Sequence, residues 1–367
     1  MKCDARMKRQ ILSRALLMAL SGIVVSQSVA QTPVPGAHAG VPECSFQELR
    51  EKLRSRLAAM SPQERRGTEA ALRMMASESR VAFIAREVRV NPNGLETEAW
   101  VRRDPARGFR IESIRPAGEI FLDDRKNFYL FQPKKNRWIQ KASAMKAMRE
   151  HSEELSRRLG KNELRALWQG QDTIAGRTAD IVQIAPTGGD AGPSRRIWID
   201  RPTGLRLKQE IVGADNRLLN VSYFLSVDFT PAFRVDDFTP PVGAAIVVEN
   251  KRTFRNLVEA TRAGFTARVP SYLPGGFELR VIEGSQDGDE KRRVTQRYAN
   301  GVTVLSLIQI ADTPQPGEAL GVTRGGFSKN PRGGGDRAFL WRDADFRYIL
   351  ISALSDDDVR RVAESVR

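Results

Sequence analysis

Histidine and cysteine are both scarce, with two of each in 367 residues. Cys3 lies in the N-terminal stretch that reads below as a cleaved leader, which leaves Cys44 alone and excludes an internal disulfide. Neither cysteine follows a small-residue lipidation signal, so no lipid anchor is expected. His38 sits in a Pro- and Gly-rich segment, and His151 lies among Arg149, Glu150 and Glu153, where it reads as a solvated helix residue. A Ser-His-Asp or Cys-His engine needs histidine held beside a nucleophile, and neither setting suggests one. No H-E-x-x-H or paired-cysteine spacing offers a zinc site. Asp123-Asp124 is explained by a hairpin turn, and Asp356 to Asp358 by the start of a helix. The tract holding Gly325-Gly326 and Gly333-Gly334-Gly335 lacks the strand-and-helix setting of a phosphate loop. The expectation is a protein with no catalytic residues, no metal and no cofactor: not an enzyme.

Long apolar runs are also missing. Ala15 to Val25 is apolar but falls short of the ~18 residues a membrane helix needs. Lys2, Arg6, Lys8, Arg9 and Arg14 precede it, and Ser28-Val29-Ala30 follows as a small-x-small site, so residues 1–30 read as a secretory signal peptide cleaved near Ala30. The mature chain is expected in the periplasm, with no transmembrane span. Losing those five cations and Asp4 lowers the formal charge of +15 by four. A basic excess in a cytoplasmic protein would point to nucleic acid; export removes that partner and leaves anionic lipid, lipopolysaccharide or an acidic protein segment.

What the chain has in quantity is period-two patterning. From Trp100 to Trp138, apolar and polar residues alternate around Phe109 and Ile111, Ile120 to Leu122, and Phe128 to Phe131, with turn residues between, as in an antiparallel meander. A helix is expected from Ser45 to Met60, and a second from Ser61-Pro62-Gln63-Glu64, which combines an N-cap, Pro at the first position and a capping Glu. Val81 to Val90 reads as a strand turned by Asn91-Pro92-Asn93-Gly94. Ala142 to Gln169 reads as one long or two consecutive helices broken near Gly160, followed by strands at Ala179 to Ile184, Arg195 to Asp200, Leu205 to Val212 and Leu218 to Phe229.

Pro231, Asp236-Asp237 and Pro240-Pro241 mark a linker. Beyond it come a helical stretch at Phe254 to Ala263 and strands at Glu278 to Glu283 and Arg292 to Ala299. Asn300-Gly301 then turns into Val302 to Ile310. Residues 312–337 read as a mobile loop. Two further strands and a helix capped by Ser355 end the chain.

The expected organisation is signal peptide 1–30, flexible leader 31–44, a domain at 45–229, a linker at 230–246 and a smaller domain at 247–367. The fold class is α+β: a half-open antiparallel β-barrel covered by helices, then a smaller α/β domain with an antiparallel sheet.

Trp100, Arg102, Pro105, Arg110, Glu112, Pro116, Gly118, Asp123, Tyr129, Pro133 and Asn136 form a pattern that resembles the periplasmic lipoprotein-carrier superfamily. Ile174-Ala175-Gly176-Arg177, Arg196-Ile197-Trp198-Ile199-Asp200, Thr203-Gly204-Leu205 and Lys208 resemble it too, and are especially similar to sigma-E regulatory proteins of the RseB/MucB type. Leu273-Pro274-Gly275-Gly276-Phe277 and Tyr298-Ala299-Asn300-Gly301-Val302 are similar to elements of that family's small domain, which a lone carrier lacks. Departures are the helix begun by Ser61-Pro62, the Gly-rich loop, and Asn300 in place of the usual Asp.

The resemblance implies binding to the periplasmic domain of an anti-sigma factor, shielding it from proteolysis, and release on meeting lipid, lipoprotein or lipopolysaccharide. A carrier of lipoproteins or lipids between membranes is the alternative. Phe109, Ile111, Ile120, Leu122, Phe128, Leu130, Ile197 and Ile199 alternate so as to line an apolar trough. Alternation alone leaves open which parity faces inward, and whether the protein's own helices fill the trough.

Overall fold

The computed structural model describes residues 56–90, 96–187, 192–213, 216–286, 292–311, 323–328 and 337–367. The expected signal peptide, the leader, the Asn91 to Gly94 turn and Gly333 to Gly335 lie outside them. Of the helix expected from Ser45, residues 56–59 are described and helical.

Strand dominates. Six strands form the expected meander: β1 (Phe83–Val90), β2 (Glu96–Asp104), β3 (Gly108–Arg115), β4 (Ile120–Asp123), β5 (Asn127–Gln132) and β6 (Arg137–Ala142). Five more form a second meander: β7 (Leu164–Ile174), β8 (Arg177–Pro186), β9 (Ser194–Asp200), β10 (Arg206–Val212) and β11 (Leu218–Asp228). Antiparallel pairing of β1 with β11 joins the two meanders. With β12 (Ile246–Val248) added in parallel to β6, the result is a twelve-stranded sheet. Its ends, β12 and β7, are not hydrogen-bonded to each other, so the sheet stays open and no closed barrel forms.

Helix α1 (Pro62–Ser77) begins as its capping residues dictate, with the Ser61 side chain accepting from the Glu64 N–H. Its buried face carries Met74 and the small residues Gly67, Ala70 and Ala71, which let the helix axis come close to β7. Arg66 and Arg73 clamp it there, reaching the buried Asp180 carboxylate at 3.1 and 3.0 Å. Helix α2 (Met145–Gly160) follows β6. The buried Asp123 carboxylate stands at its start and accepts from Ser143 Oγ at 2.9 Å and the Ala144 N–H at 2.6 Å. Asp124, its neighbour, closes the β4–β5 turn through the N–H groups of Lys126 and Asn127.

The helix expected to run on to Gln169 stops at Gly160, and Leu164, Leu167 and Trp168 lie in β7. Those three residues satisfy helical spacing, but Leu164 and Ala166 alternate with exposed neighbours, and pairing with β8 through an Ala175-Gly176 turn decides the outcome. Ile246 to Val248, where the smaller domain was expected to begin, instead complete the first sheet.

The turn between β9 and β10 is held by side chains. Arg177 Nε and Nη2 donate to the two oxygens of the fully buried Asp200 at 2.8 and 2.9 Å. Thr203 donates to the same carboxylate through its N–H at 3.0 Å and its hydroxyl at 2.6 Å. Gly204 has φ +78°, and a Cβ there would lie 2.7 Å from the Arg73 carbonyl oxygen of α1. The Gly176-Arg177, Asp200 and Thr203-Gly204 elements are thus one knot that sets the turn against α1.

A second, seven-stranded antiparallel sheet is built from β13 (Lys251–Phe254), β14 (Glu278–Ser285), β15 (Arg293–Ala299), β16 (Val304–Ala311), β17 (Thr323–Ser328), β18 (Arg337–Arg342) and β19 (Phe346–Ser352). The helical stretch expected from Phe254 is the shorter α3 (Leu257–Arg262). The loop expected over 312–337 contains β17, whose pairing with β18 supplies the order its Gly-rich sequence does not advertise. Helix α4 (Asp356–Glu364) is capped by Ser355, whose side chain accepts from the Asp358 N–H. It buries Val359 and Val362 against Tyr348, Leu350 and Phe277.

The sheets meet at a defined seam. Asn300 Oδ1 accepts from the N–H groups of Val302 and Thr303, and its Nδ2 donates to the Gly275 carbonyl, tying the β15–β16 turn to the Pro274-Gly275-Gly276 turn. Val302 then enters the apolar cluster of Leu155, Leu159 and Leu164. Around it, Arg158 and Arg280 contact Glu154 at 2.6 Å each, and Arg158 reaches Glu278 at 3.4 Å.

Candidate functional site

Two helices and one face of the first sheet line a partly open cavity of about 90 Å³. Its apolar wall is Phe83, Val101, Phe109, Ile111 and Phe224 from the sheet, with Met74 and Met75 from α1 and Met148 and Leu155 from α2. The volume is that of about three waters, and well below the roughly 300 Å³ at which small-molecule pockets begin. In this form the helices fill most of the trough.

The structure divides the eight candidate trough residues into three groups. Phe109, Ile111, Phe128 and Leu130 share one buried cluster with Phe121, Phe83 and Phe224, and Phe109 and Ile111 reach the cavity itself. Ile197 and Ile199 are fully buried in the neighbouring cluster beneath α1 and α2, packed with Ala70, Ala71, Met74 and Leu155. Ile120 and Leu122 are a correction: they face the other side of the sheet, with Tyr129 and Trp138. The register explains it. Ile111 pairs with Phe121, and Phe109 with Asp123, so period two sends Ile120 and Leu122 away from the cavity. Phe121, between them, is the apolar β4 residue on the cavity side.

His151 is a second correction. It is half-buried and lines the cavity rather than facing solvent. The signal was present in the spacing: Met148, His151, Ser152, Leu155 and Leu159 follow one another at three- and four-residue steps and occupy one helical face. The polar neighbours that suggested solvent belong to the other faces. Burial pushes the imidazole down to about 4, with Arg195 and Arg206 adding repulsion and Glu154 opposing it, so His151 is neutral near pH 7.

The polar wall is heavily cationic, which trough reasoning missed. Arg89 and Glu87 from β1, Arg103 from β2, Arg195 from β9, Arg206 from β10 and Glu78 after α1 all line the cavity. Glu87 pairs with Arg89 at 2.5 Å. Glu78 accepts from Ser152 Oγ at 2.6 Å, tying α2 to the end of α1, while its carbonyl accepts from Arg103 Nη2. Arg206 Nη1 donates to Gln209 at 3.0 Å, and Arg195 Nη2 to the Val302 carbonyl of the second sheet. Burial lowers Arg195 to about 10, Arg206 repels it further, and Glu78 opposes both. Arg103 and Arg206 are also lowered, burial again coming first. No alternation rule flags these residues, because arginine on a strand ordinarily marks the solvent face.

Comparison with known proteins agrees with this architecture. Residues 117–242, from the β3–β4 turn through the segment after β11, match the family described as MucB/RseB N-terminal domain. The fold is similar to that of MucB in a complex with MucA(peri), with a TM-score of 0.55, 17% identity, and coverage of 82% of this chain and 98% of that one. The Pseudomonas aeruginosa MucA/MucB complex is similar at TM-score 0.55 and 16% identity, covering the same shares. MucB alone is similar at TM-score 0.51 and 16% identity, with coverage of 82% and 97%. No curated protein matches. Residues 117–242 thus resemble the MucB/RseB N-terminal domain, and the fold as a whole is similar to that of MucB.

Proposed function

We propose that the chain is a periplasmic regulator that holds the periplasmic domain of an inner-membrane anti-sigma factor and so controls an envelope-stress sigma factor. One observation carries this reading: the fold is shared over 98% of a MucB chain that is itself in complex with MucA(peri). A lone carrier domain would not need the second sheet, and here that sheet is docked onto α2 through Val302 and the Arg158–Glu154–Arg280 cluster. Among the described residues the first sheet takes in Ile246 to Val248 and the second begins at Lys251, so the proposed division into two units falls between them. No described helix is long and apolar enough to cross a membrane.

Lipid, lipoprotein or lipopolysaccharide is the proposed releasing signal, and the filled trough says how it would act. An acyl chain gains about 0.8 kcal/mol per buried CH₂, but the present cavity holds only a few such groups, so entry requires α2 to swing away from Phe109 and Ile111. Met148 and Leu155 would exchange their burial for the chain's. The exported protein, passed over the immobilised periplasmic segment of the anti-sigma factor from the same genome, should be retained and then displaced by lipoprotein. A protein that ignores the segment, co-purifies with lipid and leaves sigma activity unchanged on deletion would instead be a carrier between membranes.

A further inference from the structure

We infer that the cavity beneath α1 and α2 is an oxyanion site, built to take one phosphate or carboxylate group on Arg103, Arg195 and Arg206. The site is independent of which protein partner the chain holds. It starts from an imbalance of charge. Four guanidinium groups line the cavity against two carboxylates. Glu87 is taken by Arg89 at 2.5 Å. Arg206 shares the field of that same Glu87 and, less strongly, of Glu78; Arg103 and Arg195 have only Glu78, whose carboxylate already accepts from Ser152. Neutral His151 adds no charge.

The second observation is donor capacity. Arg195 is only 6% exposed, yet its Nε is buried and makes no hydrogen bond among the described residues; the same holds for Nε of Arg89 and Arg103. Buried cationic donors left without acceptors are costly, and a charged oxygen acceptor is their strongest partner. Size then selects the ligand class. A cavity of about 90 Å³ has room for a single oxyanion with a water beside it. Phe109, Ile111 and Met148 beside the cations mean that a headgroup could enter with only the first carbons of its chain. Free phosphate and a lipid phosphate present the same chemistry.

The test is calorimetric titration of the exported full chain at fixed ionic strength with inorganic phosphate, with lysophosphatidic acid below its micelle concentration, and with lysophosphatidylcholine as the zwitterionic control. One of the first two should bind and the control should not. Binding of phosphate identifies a free oxyanion site; binding of lysophosphatidic acid alone identifies a headgroup site. R103Q and R206Q should each weaken binding by about tenfold or more, and R102Q, on the opposite face of β2, should leave it unchanged. Because loss of binding could also follow from misfolding, E78Q supplies the opposite sign: removing the competing carboxylate should tighten binding by about tenfold. Absence of anion binding in the unaltered chain, or equal binding by R103Q, R206Q and E78Q, overturns the proposal.

Discussion

Replacing Asp200 by Ala should cost more stability than any surface change, and the structure sets the size of the loss. The carboxylate is fully buried and accepts four hydrogen bonds, two from Arg177 and two from Thr203. Breaking a buried ion pair by removing one partner costs about 3–5 kcal/mol. Arg177, however, is 30% exposed and can turn to water once released, which reduces the expected loss to about 2–4 kcal/mol. Burial pushes the Asp200 carboxyl up, but Arg177 and Thr203 overcome it and hold the group below its usual range. The stabilisation is therefore fully present above the unfolded value of about 3.9 and is lost as pH falls through the lower folded value. The assay is urea unfolding of the single variants D200A and R177A and of the double variant. If the pair acts together, the double variant should lose about 1 kcal/mol or more less than the sum of the two singles. Additive losses, or a D200A cost below about 1 kcal/mol, would refute the view that this knot anchors the β9–β10 turn.

Two further expectations concern the covering helices. G67A should destabilise by about 1–3 kcal/mol in urea unfolding although helix propensity favours Ala by about 1 kcal/mol, since a Cβ there would stand 2.4 Å from the Ala166 carbonyl oxygen and 2.7 Å from the Trp168 nitrogen. His151, lowered to about 4 while its unfolded value is 6.5, makes the unfolded chain take up a proton that the folded chain refuses. Stability should thus fall as pH drops from about 6.5 towards 4, and the thermal midpoint of H151Q should lose that part of the slope.

Much of the sheet was legible because period-two alternation and turn residues are local. The Trp100–Trp138 meander, the Ser61-Pro62 cap and the Ser355 cap all follow from contacts within a few residues. What was not legible depends on partners distant in sequence. Leu164 to Trp168 satisfies a helical and a strand pattern equally, and only β8 selects between them. Ile120 and Leu122 alternate as well as Phe121 does, and the inward parity of β4 is set by its register with β3. Arg103, Arg195 and Arg206 come from three strands that converge only in the folded sheet, so no stretch of sequence shows them as a group.

Arg195 faces in two directions at once. One nitrogen grips the backbone of a turn in the other sheet, and the same residue lines the cavity of the first. A guanidinium is planar and rigid, so it cannot swing toward a newcomer without tugging on Val302. An anion bound in the hollow would therefore be joined to the far half of the molecule through one side chain.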